Sequence, residues 1–516
     1  MGHKRLFLKA SFIIGVAVML SKVFGLVREQ YALYLFGANW ELDAYVSASK
    51  IPNVFRNLLG EGAFSAVFIS IFSGMYAKNK EKALAFANKV ISYLLSLCLI
   101  VTILGIIGAP FYLKLIHKAT LNFDLVIELT YYIMPFLTFI SLAAIMMGIL
   151  NSWDIYFIPA LAPFFGNLVF LVTVYFLNKS MGVRSLALAF LFSSITYVLV
   201  QLPLLFKKKF HFRFNFKIDA DLKSFFKFFS PVAFGMAVFQ LNRIIANIFS
   251  SSIEGGNTLF EKAFIITQLV LSVLITGIST IALPLIAREK NKATRMVYYL
   301  DSLKLTFLMI FPTTIFCATM GYEISSFVYK DILVFLGAGT GKVSEAAIAG
   351  IGSLLLYFSP AITFFGLITI INRGFQGLKL FYYPVIGSTI SVISNYFLMD
   401  YFVPLMGIAG LSVAIAISSF LNLITLFYFF SSRNQLEYGK FFLNVSKSIL
   451  AGTGLFFFLI YCKKLPLSNV LKTPLLILSG LIVYLLLLLL FREQESKHFV
   501  SSITRKLGLK RKKHNT

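Results

Sequence analysis

Residues 21–65 read SKVFGLVREQYALYLFGANWELDAYVSASKIPNVFRNLLGEGAFS, and this stretch contains two apolar helical segments that carry charged side chains. At 3.6 residues per turn, one face of the first segment collects Ser21, Lys22, Gly25, Arg28 and Glu29. One stripe of the second segment collects Asp43, Ser47, Lys50, Asn57, Glu61 and Ser65, with Asn53 and Arg56 beside it. Pro52 removes a backbone donor in the second segment, which predicts a kink there.

These charges admit two interpretations. A charge near the centre of a bilayer costs on the order of 3 kcal/mol or more, so such residues normally face a partner or a water-filled cavity. Asp43 and Glu61 also suit a structural interpretation, as helix-end residues or members of internal ion pairs. Lys22 and Arg28 have apolar sequence on both sides, which favours a functional cavity. Because the stripe offers more sites for anions than it contains carboxylates, the predicted ligand is negatively charged.

The composition is typical of a membrane protein with many spans. Of its 516 residues, 58% are hydrophobic and only 13% are charged. The net charge of +26 does not indicate a nucleic-acid partner, because the basic residues lie in short loops between apolar segments.

The sequence offers no pattern for catalysis. Cys98, Cys317 and Cys462 are scattered, and the five histidines show no metal-ligand spacing. A Gly-x-x-x-x-Gly-Lys-Ser/Thr phosphate loop is also missing from the sequence. We therefore predict a transporter rather than an enzyme, with no catalytic residue, no metal and no cofactor.

Apolar segments long enough to span a membrane predict an all-α polytopic membrane protein with fourteen transmembrane helices. They lie at 8–36, 42–76, 88–113, 125–150, 157–178, 184–206, 224–252, 259–287, 294–320, 344–374, 382–401, 407–431, 441–462 and 471–491. The loops after even-numbered segments are the richer in Lys and Arg, so both termini are predicted to be cytoplasmic. The basic tail, residues 496–516, is expected to be solvated on that side, with contact to anionic lipid as the alternative.

A short motif recurs in the two halves of the chain. Pro135, Thr138, Phe139 and Pro159 superpose on Pro360, Thr363, Phe364 and Pro384 at one constant offset. The repeat predicts two six-helix lobes, 1–210 and 220–435, related by a pseudo-two-fold axis along the membrane normal. Two extra C-terminal helices, within 436–495, follow. Transporters built in this way bind substrate between their halves.

The second half carries its own charges within apolar sequence. Arg243 lies in the segment AVFQLNRIIANIF and is predicted to be functional, or paired with a carboxylate such as Glu29 or Glu61. Glu261 and Lys262 open the following segment, and Arg373 lies near the end of the tenth. For Lys262 and Arg373, a helix-end position at the headgroups is an almost equal alternative.

The quoted N-terminal stretch, continued as AVFI, resembles the amino-terminal signature of the MurJ (MviN) family, the lipid II flippases of peptidoglycan synthesis. The stretch GILNSWDIYFIPALAPFFGN is similar to a later segment of the same family. The resemblance covers essentially the whole chain. It implies the fold of the multidrug/oligosaccharidyl-lipid/polysaccharide exporters, with two lobes around a cationic cavity. It also implies that helices thirteen and fourteen form a groove for the polyprenyl tail.

The resemblance assigns cavity roles to particular residues. Arg28 and Arg56 match the family in type, and the other matching positions are Asp43, Lys50, Asn53 and Glu61. Lys22 stands where many members have Arg, and Glu29 where many have Asp. Glu261 and Lys262 replace an Asp–Arg pair, and Lys lacks the planar fork that Arg offers a phosphate. No sodium site is assigned, because the seventh segment has amides where some members have a carboxylate.

These inferences predict a flippase of the bacterial inner membrane that moves lipid-linked disaccharide-pentapeptide by alternating access. Lys22, Arg28, Arg56 and Lys262 are expected to bind the diphosphate. Glu29, Asp43 and Glu61 are expected to pair with these cations in the empty cavity. Membrane lipids are expected partners, and cell-wall synthesis enzymes are compatible ones. The alternatives are an exporter of another polyprenyl-diphosphate-linked oligosaccharide, a multidrug exporter, a membrane-embedded transferase and a scaffold for cell-wall enzymes.

Overall fold

In a computed structural model, residues 2–60, 63–116, 123–289, 291–378, 380, 382–433 and 438–491 are described, and they contain helices but no β-strand. The first nine helices are α1 (Gly2–Phe36), α2 (Trp40–Gly60), α3 (Ala63–Lys78), α4 (Lys80–Ile116), α5 (Phe123–Ile133), α6 (Phe136–Ser152), α7 (Phe157–Met181), α8 (Arg184–Lys207) and α9 (Ala220–Ser250). The others are α10 (Gly256–Arg288), α11 (Lys292–Ser326), α12 (Ile332–Phe335), α13 (Glu345–Gly377), α14 (Tyr382–Met406), α15 (Ala409–Arg433), α16 (Tyr438–Cys462) and α17 (Asn469–Leu490), with a π-turn at Phe327–Asp331 before α12.

The helices confirm the all-α membrane class, while the number of fourteen spans stays a prediction. Among the described residues, ten helical stretches are long and apolar enough to cross a membrane. Helices α1, α2 and α9 are not among the ten, and they contain many of the charged residues discussed above. Helix α2 continues through Pro52, and the predicted segment 42–76 corresponds to α2 and α3.

The chain forms two compact units. Unit 1 comprises Met1–Thr258 with Gly341–Val343, and unit 2 comprises Leu259–Thr340 with Ser344–Thr516. The predicted lobes divide the chain at 210–220, and that boundary stays a prediction; α9 is grouped with unit 1 in the structure. The reason is packing: Leu222 and Phe225 of α9 are buried in one apolar core with Phe68, Phe86 and Leu94.

The segment between α8 and α9 turns at Lys208 and Lys209, and residues 210–219 then run along α4. Asn88 of α4 accepts a hydrogen bond from the backbone N–H of Arg213 (3.3 Å), and Ser92 accepts one from that of Asn215 (2.9 Å). The hydroxyl of Tyr93 donates to the carbonyl of Phe216 at 2.6 Å. Side chains of α4 thus satisfy backbone groups that a non-helical segment would otherwise leave unpaired. We call residues 210–219 the strap.

Two ion pairs join the strap and the start of α9 to α4. Lys89 pairs with Asp219, the N-cap residue of α9, whose carboxylate also accepts from the backbone N–H of Leu222 at 3.0 Å. Lys82 pairs with Asp221 at 3.0 Å. Burial alone would raise the pKa of Asp219, but the hydrogen bonds from Lys89 and Leu222 hold that pKa below its usual range.

Unit 2 is built on α11, α13 and α15, which pack against one another, with α16 packed on α11 and α17 on α16. One apolar core contains Tyr299, Ile370 and Phe430, and a second contains Met320, Leu455 and Tyr484. The second core packs α16 and α17 against α11, while the grouping of these two helices as an extra pair stays a prediction.

The repeated motif makes similar contacts in each unit. Thr138 of α6 hydrogen-bonds Thr102 of α4 at 3.1 Å, and Thr363 of α13 hydrogen-bonds Thr314 of α11 at 2.7 Å. A threonine of the motif therefore joins α6 to α4 in unit 1 and α13 to α11 in unit 2. The symmetry axis itself stays a prediction.

The prolines of the motif behave differently in the two units. The single helix predicted over 125–150 is divided into α5 and α6 at Met134 and Pro135, whereas α13 continues through Pro360. A proline leaves the carbonyl four residues earlier without its helical donor. In α13 this carbonyl belongs to Leu356, and the hydroxyl of Ser359 donates to it at 2.7 Å. The corresponding residue in the first motif is Met134, which has no hydroxyl to offer.

Candidate functional site

Arg28 is the centre of a polar cluster between α1 and α7 in unit 1. Its Nη2 and Nε donate to one carboxylate oxygen of Glu29 at 2.7 and 3.2 Å, and its Nη1 donates to Oδ1 of Asn167 at 3.3 Å. The guanidinium carbon lies 5.2 Å from the ring centroid of Phe170. Only 15% of the Arg28 side chain and 16% of the Glu29 side chain is exposed. The guanidinium is therefore held by an anion, an amide and an aromatic ring.

Three of the five residues on the predicted polar face of α1 contact α7, namely Ser21, Gly25 and Arg28. Ser21 donates to the carbonyl of Ala160 at 3.1 Å, and its own carbonyl accepts from Nδ2 of Asn167 at 3.1 Å. A Cβ on Gly25 would lie 3.5 Å from the same Nδ2, so the two helices approach closely there. Lys22, on the same face, is exposed. This face is thus a helix contact that also holds the charged group of Arg28.

Asp43 lies in a second cluster, in which α2 meets the start of α10 within unit 1. Its side chain is buried, and Oδ1 accepts from the backbone N–H and from the hydroxyl of Thr258, both at 2.7 Å. Ser47, one turn further along α2, accepts from Nδ2 of Asn257 at 2.7 Å, and Asn257 also accepts from Ser250. The first amides of a helix have no partner within it and favour a negative charge, so Asp43 caps α10 from another helix.

A glycine allows this close approach. Gly255 has a φ of +70°, and a Cβ on it would lie 2.8 Å from the carbonyl oxygen of Ala38. An L side chain there would be strained and would also push α2 away from α10. Asn39 caps α2 itself by accepting from the backbone N–H of Leu42 at 3.0 Å. Both helix starts are therefore fixed around the buried Asp43 carboxylate.

The other predicted residues of unit 1 lie on α2 and α9. Lys50 is 5% exposed, and Asn53, Arg56 and Arg243 are half-buried. The Nε of Arg56 is buried and makes no hydrogen bond to the described residues. Asn57 donates to Gln240 of α9 at 3.4 Å. Glu61 lies outside the described residues, so its predicted role stays a prediction.

The predicted residues of unit 2 differ in burial. Lys262 is 1% exposed, and its carbonyl accepts from the hydroxyl of Tyr329 at 2.9 Å. Burial contradicts the alternative of a headgroup position for Lys262. Arg373 lies in the last turn but one of α13 and donates to Gln376 at 2.9 Å, which suits a helix-end residue. Glu261 is half-buried.

Sequence reasoning missed two members of these clusters. Asn167 ends the quoted stretch GILNSWDIYFIPALAPFFGN, and its position as an amide in an apolar helix is the signal that could have identified it. Thr258 follows the Gly255–Gly256 turn, and a hydroxyl residue at a helix start is common. Neither signal names its partner, since the contact depends on the folded arrangement.

Comparison with known proteins identifies relatives along most of the chain. The family described as "Lipid II flippase MurJ" matches residues 33–486. The "Probable lipid II flippase MurJ" of Aquifex aeolicus is 26% identical over 451 residues, which are 86% of this chain and 87% of the relative.

Two solved structures share the fold. The chain is similar to "Lipid II flippase MurJ, inward closed conformation", with a TM-score of 0.78, 24% identity and coverage of 93% of this chain and 99% of that one. A multidrug resistance MATE transporter of the MOP superfamily, in an inward-facing conformation, matches with a TM-score of 0.66, 18% identity and coverage of 82% and 97%. These likenesses confirm the fold that the sequence resemblance implies.

Proposed function

Because the chain belongs to the MurJ family of lipid II flippases, we propose that it moves undecaprenyl-diphosphate-linked disaccharide-pentapeptide from the inner to the outer leaflet of a bacterial cytoplasmic membrane. It is a multi-pass membrane protein and a transporter rather than an enzyme. The observation that carries the proposal is the family match over most of the chain, joined to a largely buried arginine that already binds a carboxylate at 2.7 Å.

Arg28 is the first proposed ligand of the diphosphate. Its guanidinium already has three partners, and losing the anionic one would leave a buried charge at a cost of about 3–5 kcal/mol. A diphosphate supplies charged oxygens that replace the carboxylate of Glu29 with equal or better hydrogen bonds. Glu29 therefore acts as the occupant of the site in the empty protein, and it withdraws when the lipid headgroup arrives.

Arg56, Lys22 and Lys262 are the further proposed ligands. Within the described part of the chain, the buried Nε of Arg56 makes no hydrogen bond, so it can donate to an oxygen of the diphosphate. Lys22 is exposed, so it can meet the headgroup first. Lys50, Asn53, Glu61 and Glu261 remain proposed cavity residues on the family resemblance, and Arg243 and Arg373 on their position within apolar sequence.

Asp43 receives a different role from the one the sequence predicts. Its carboxylate is occupied by Thr258 at the start of α10, and it is fully buried. We assign it to the positioning of α2 against α10 rather than to pairing with the cations of the site.

The polyprenyl tail is proposed to stay in lipid beside the last two helices. A groove of about 450 Å³ in unit 2 is lined by Ala318 and Thr319 of α11 and by Phe456, Ile460, Lys463 and Lys464 of α16 and its end. Lys463 is fixed there by an ion pair with Glu323 at 3.0 Å. An apolar wall with cations at one end suits an isoprenoid chain next to a phosphate.

Complementation tests the proposal. The chain is produced in a bacterium depleted of its own lipid II flippase, as wild type, Arg28→Ala, Arg56→Ala and the control Arg184→Ala. Arg184 makes an exposed ion pair with Glu128, and the loss of such a pair has little effect on stability. Growth and the amount of lipid II reaching the outer surface are measured at equal protein level in the membrane.

We expect wild type and Arg184→Ala to restore growth, and both site variants to fail. Failure of well-expressed wild type would contradict lipid II as substrate and favour another polyprenyl-diphosphate-linked oligosaccharide. Rescue by both site variants would keep the substrate and refute the assigned diphosphate ligands.

A further inference from the structure

A second groove, in unit 1, lies between α4, the strap and α9. Its volume is about 650 Å³. The lining side chains are Tyr93, Ile218, Leu222, Lys223, Phe226, Lys227 and Ser230. Four of the seven are apolar or aromatic and form the floor. The site described above uses none of them.

Two lysines supply an excess of positive charge at this groove. Lys223 and Lys227 are four residues apart, so they lie on the same face of α9, and both are exposed. The nearby carboxylates of Asp219 and Asp221 are already paired with Lys89 and Lys82. The charge of Lys223 and Lys227 is therefore not offset by those carboxylates, and an anion complements it.

The strap beside the groove has the character of a membrane-interface segment. Phe212, Phe214, Phe216 and Ile218 are between 40% and 67% exposed, and they alternate with His211, Arg213, Asn215 and Lys217. In an extended segment, alternate residues point to opposite sides. The backbone of the strap bonds to α4 and the ring of Phe216 packs on Tyr93, whereas Phe212 and Phe214 are exposed and suit the boundary between acyl chains and headgroups.

The chemistry of the groove distinguishes a lipid from a soluble anion. A free phosphate needs only the two ammonium groups and gains nothing from an apolar floor. A phospholipid fits both parts, since its phosphate can bind the lysines while an acyl chain covers Tyr93, Ile218 and Phe226. The positive-inside pattern also assigns this end of α4 and α9 to the leaflet that is rich in anionic lipid.

We propose that the groove between α4, the strap and α9 binds an anionic phospholipid of the cytoplasmic leaflet, with its phosphate between Lys223 and Lys227. The bound lipid braces α9 against α4, next to the ion pairs that already join them. Binding of this kind would make the behaviour of the protein depend on the lipid composition of that leaflet. It is separate from recognition of the transported lipid.

The test measures lipid binding to the purified full-length protein by native mass spectrometry. Phosphatidylglycerol is compared with phosphatidylcholine of the same acyl chains and with inorganic phosphate. The variant is Lys223→Gln/Lys227→Gln. The control is Lys207→Gln/Lys208→Gln, which removes the same charge from two exposed lysines on the same side. A third variant, Ile218→Ser, weakens the apolar wall. Melting temperatures in detergent without added lipid verify that all variants fold.

We expect tight binding of phosphatidylglycerol to wild type and to the control, and about 30-fold weaker binding to Lys223→Gln/Lys227→Gln. Ile218→Ser should also weaken phosphatidylglycerol binding without changing any charge. Equal losses in the control and the groove variant would refute the site in favour of general attraction to a basic surface. Equal binding of phosphatidylcholine would refute the role of the lysines, and equally tight binding of inorganic phosphate would refute a lipid occupant. None of these outcomes depends on transport of lipid II.

Discussion

Replacing Asp43 tests whether its carboxylate fastens α2 to α10 or serves the transported substrate. The carboxylate accepts two hydrogen bonds at 2.7 Å from Thr258, one from the backbone N–H and one from the hydroxyl. Asp43→Ala removes the acceptor for both. Asp43→Asn keeps an oxygen that can accept from Thr258 but removes the charge. Thr258→Val keeps the backbone donor and removes only the hydroxyl.

The expected magnitudes follow from these contacts. A hydrogen bond to a charged acceptor contributes about 1.5–3 kcal/mol, and a buried donor left without a partner costs about 1–3 kcal/mol. The buried carboxylate itself carries a desolvation cost that its removal relieves. We therefore expect Asp43→Ala to destabilise the junction by about 2–4 kcal/mol, and Asp43→Asn by about half of that or less. Thr258→Val should cost about 1–2 kcal/mol.

Hydrogen exchange at the start of α10, followed by mass spectrometry, measures the junction directly. The loss in Asp43→Ala corresponds to exchange that is roughly 30-fold faster or more for the first-turn amides. Combining Asp43→Ala with Thr258→Val should cost less than the sum of the two single changes, because both remove the same contact. Additive effects, or no change in exchange, would refute the fastening. Loss of transport in Asp43→Asn with unchanged exchange would instead restore a direct role of the charge.

Two further predictions concern residues that support the site and the strap. Asn167→Asp places a second carboxylate next to Arg28, so we expect transport to fall while the protein still folds; undiminished lipid II translocation would contradict the exchange of partners at Arg28. Asp219→Asn should lower the melting temperature at neutral pH, because the pKa of Asp219 is held below its usual range and the charged form stabilises the fold. Because this pKa is lowered in the folded protein, the stabilisation is present above the unfolded pKa of about 4 and disappears as the pH falls through the lower folded pKa. A difference in melting temperature between variant and wild type that stayed constant down to pH 3 would contradict the assignment to the Lys89 ion pair.

The class of the protein and the polar face of α1 could be predicted from sequence, because both depend on local patterns. Long apolar segments specify membrane helices, and the spacing of Ser21, Gly25 and Arg28 places them on one face of any α-helix. The cost of a buried charge also predicts that Arg28 has partners. It does not predict that one of them is Asn167 on a helix more than a hundred residues later.

The parts that could not be predicted depend on long-range packing. The pattern of Asp43 fits a cavity residue as well as a cap, and only the folded arrangement places the amide of Thr258 against it. The sequence places α9 with the second lobe because a repeat of six helices requires it. That assignment stays a prediction, whereas the burial of Leu222 and Phe225 with Phe68 and Phe86 is a long-range contact that no local pattern specifies.

The helix is interrupted at Pro135 but continues through Pro360, so the two copies of the motif differ in helix continuity. Helix α13 is one continuous helix of 33 residues, about 50 Å long, so its two ends move together as a rigid body. Its counterpart is jointed after Ile133, and α5 and α6 can change direction separately. The residue before the proline differs between the two copies: Ser359 in α13 has a hydroxyl that donates to the Leu356 carbonyl, and Met134 has a thioether. A single residue before a proline can thus decide whether a helix continues or divides, without a change in its apolar character.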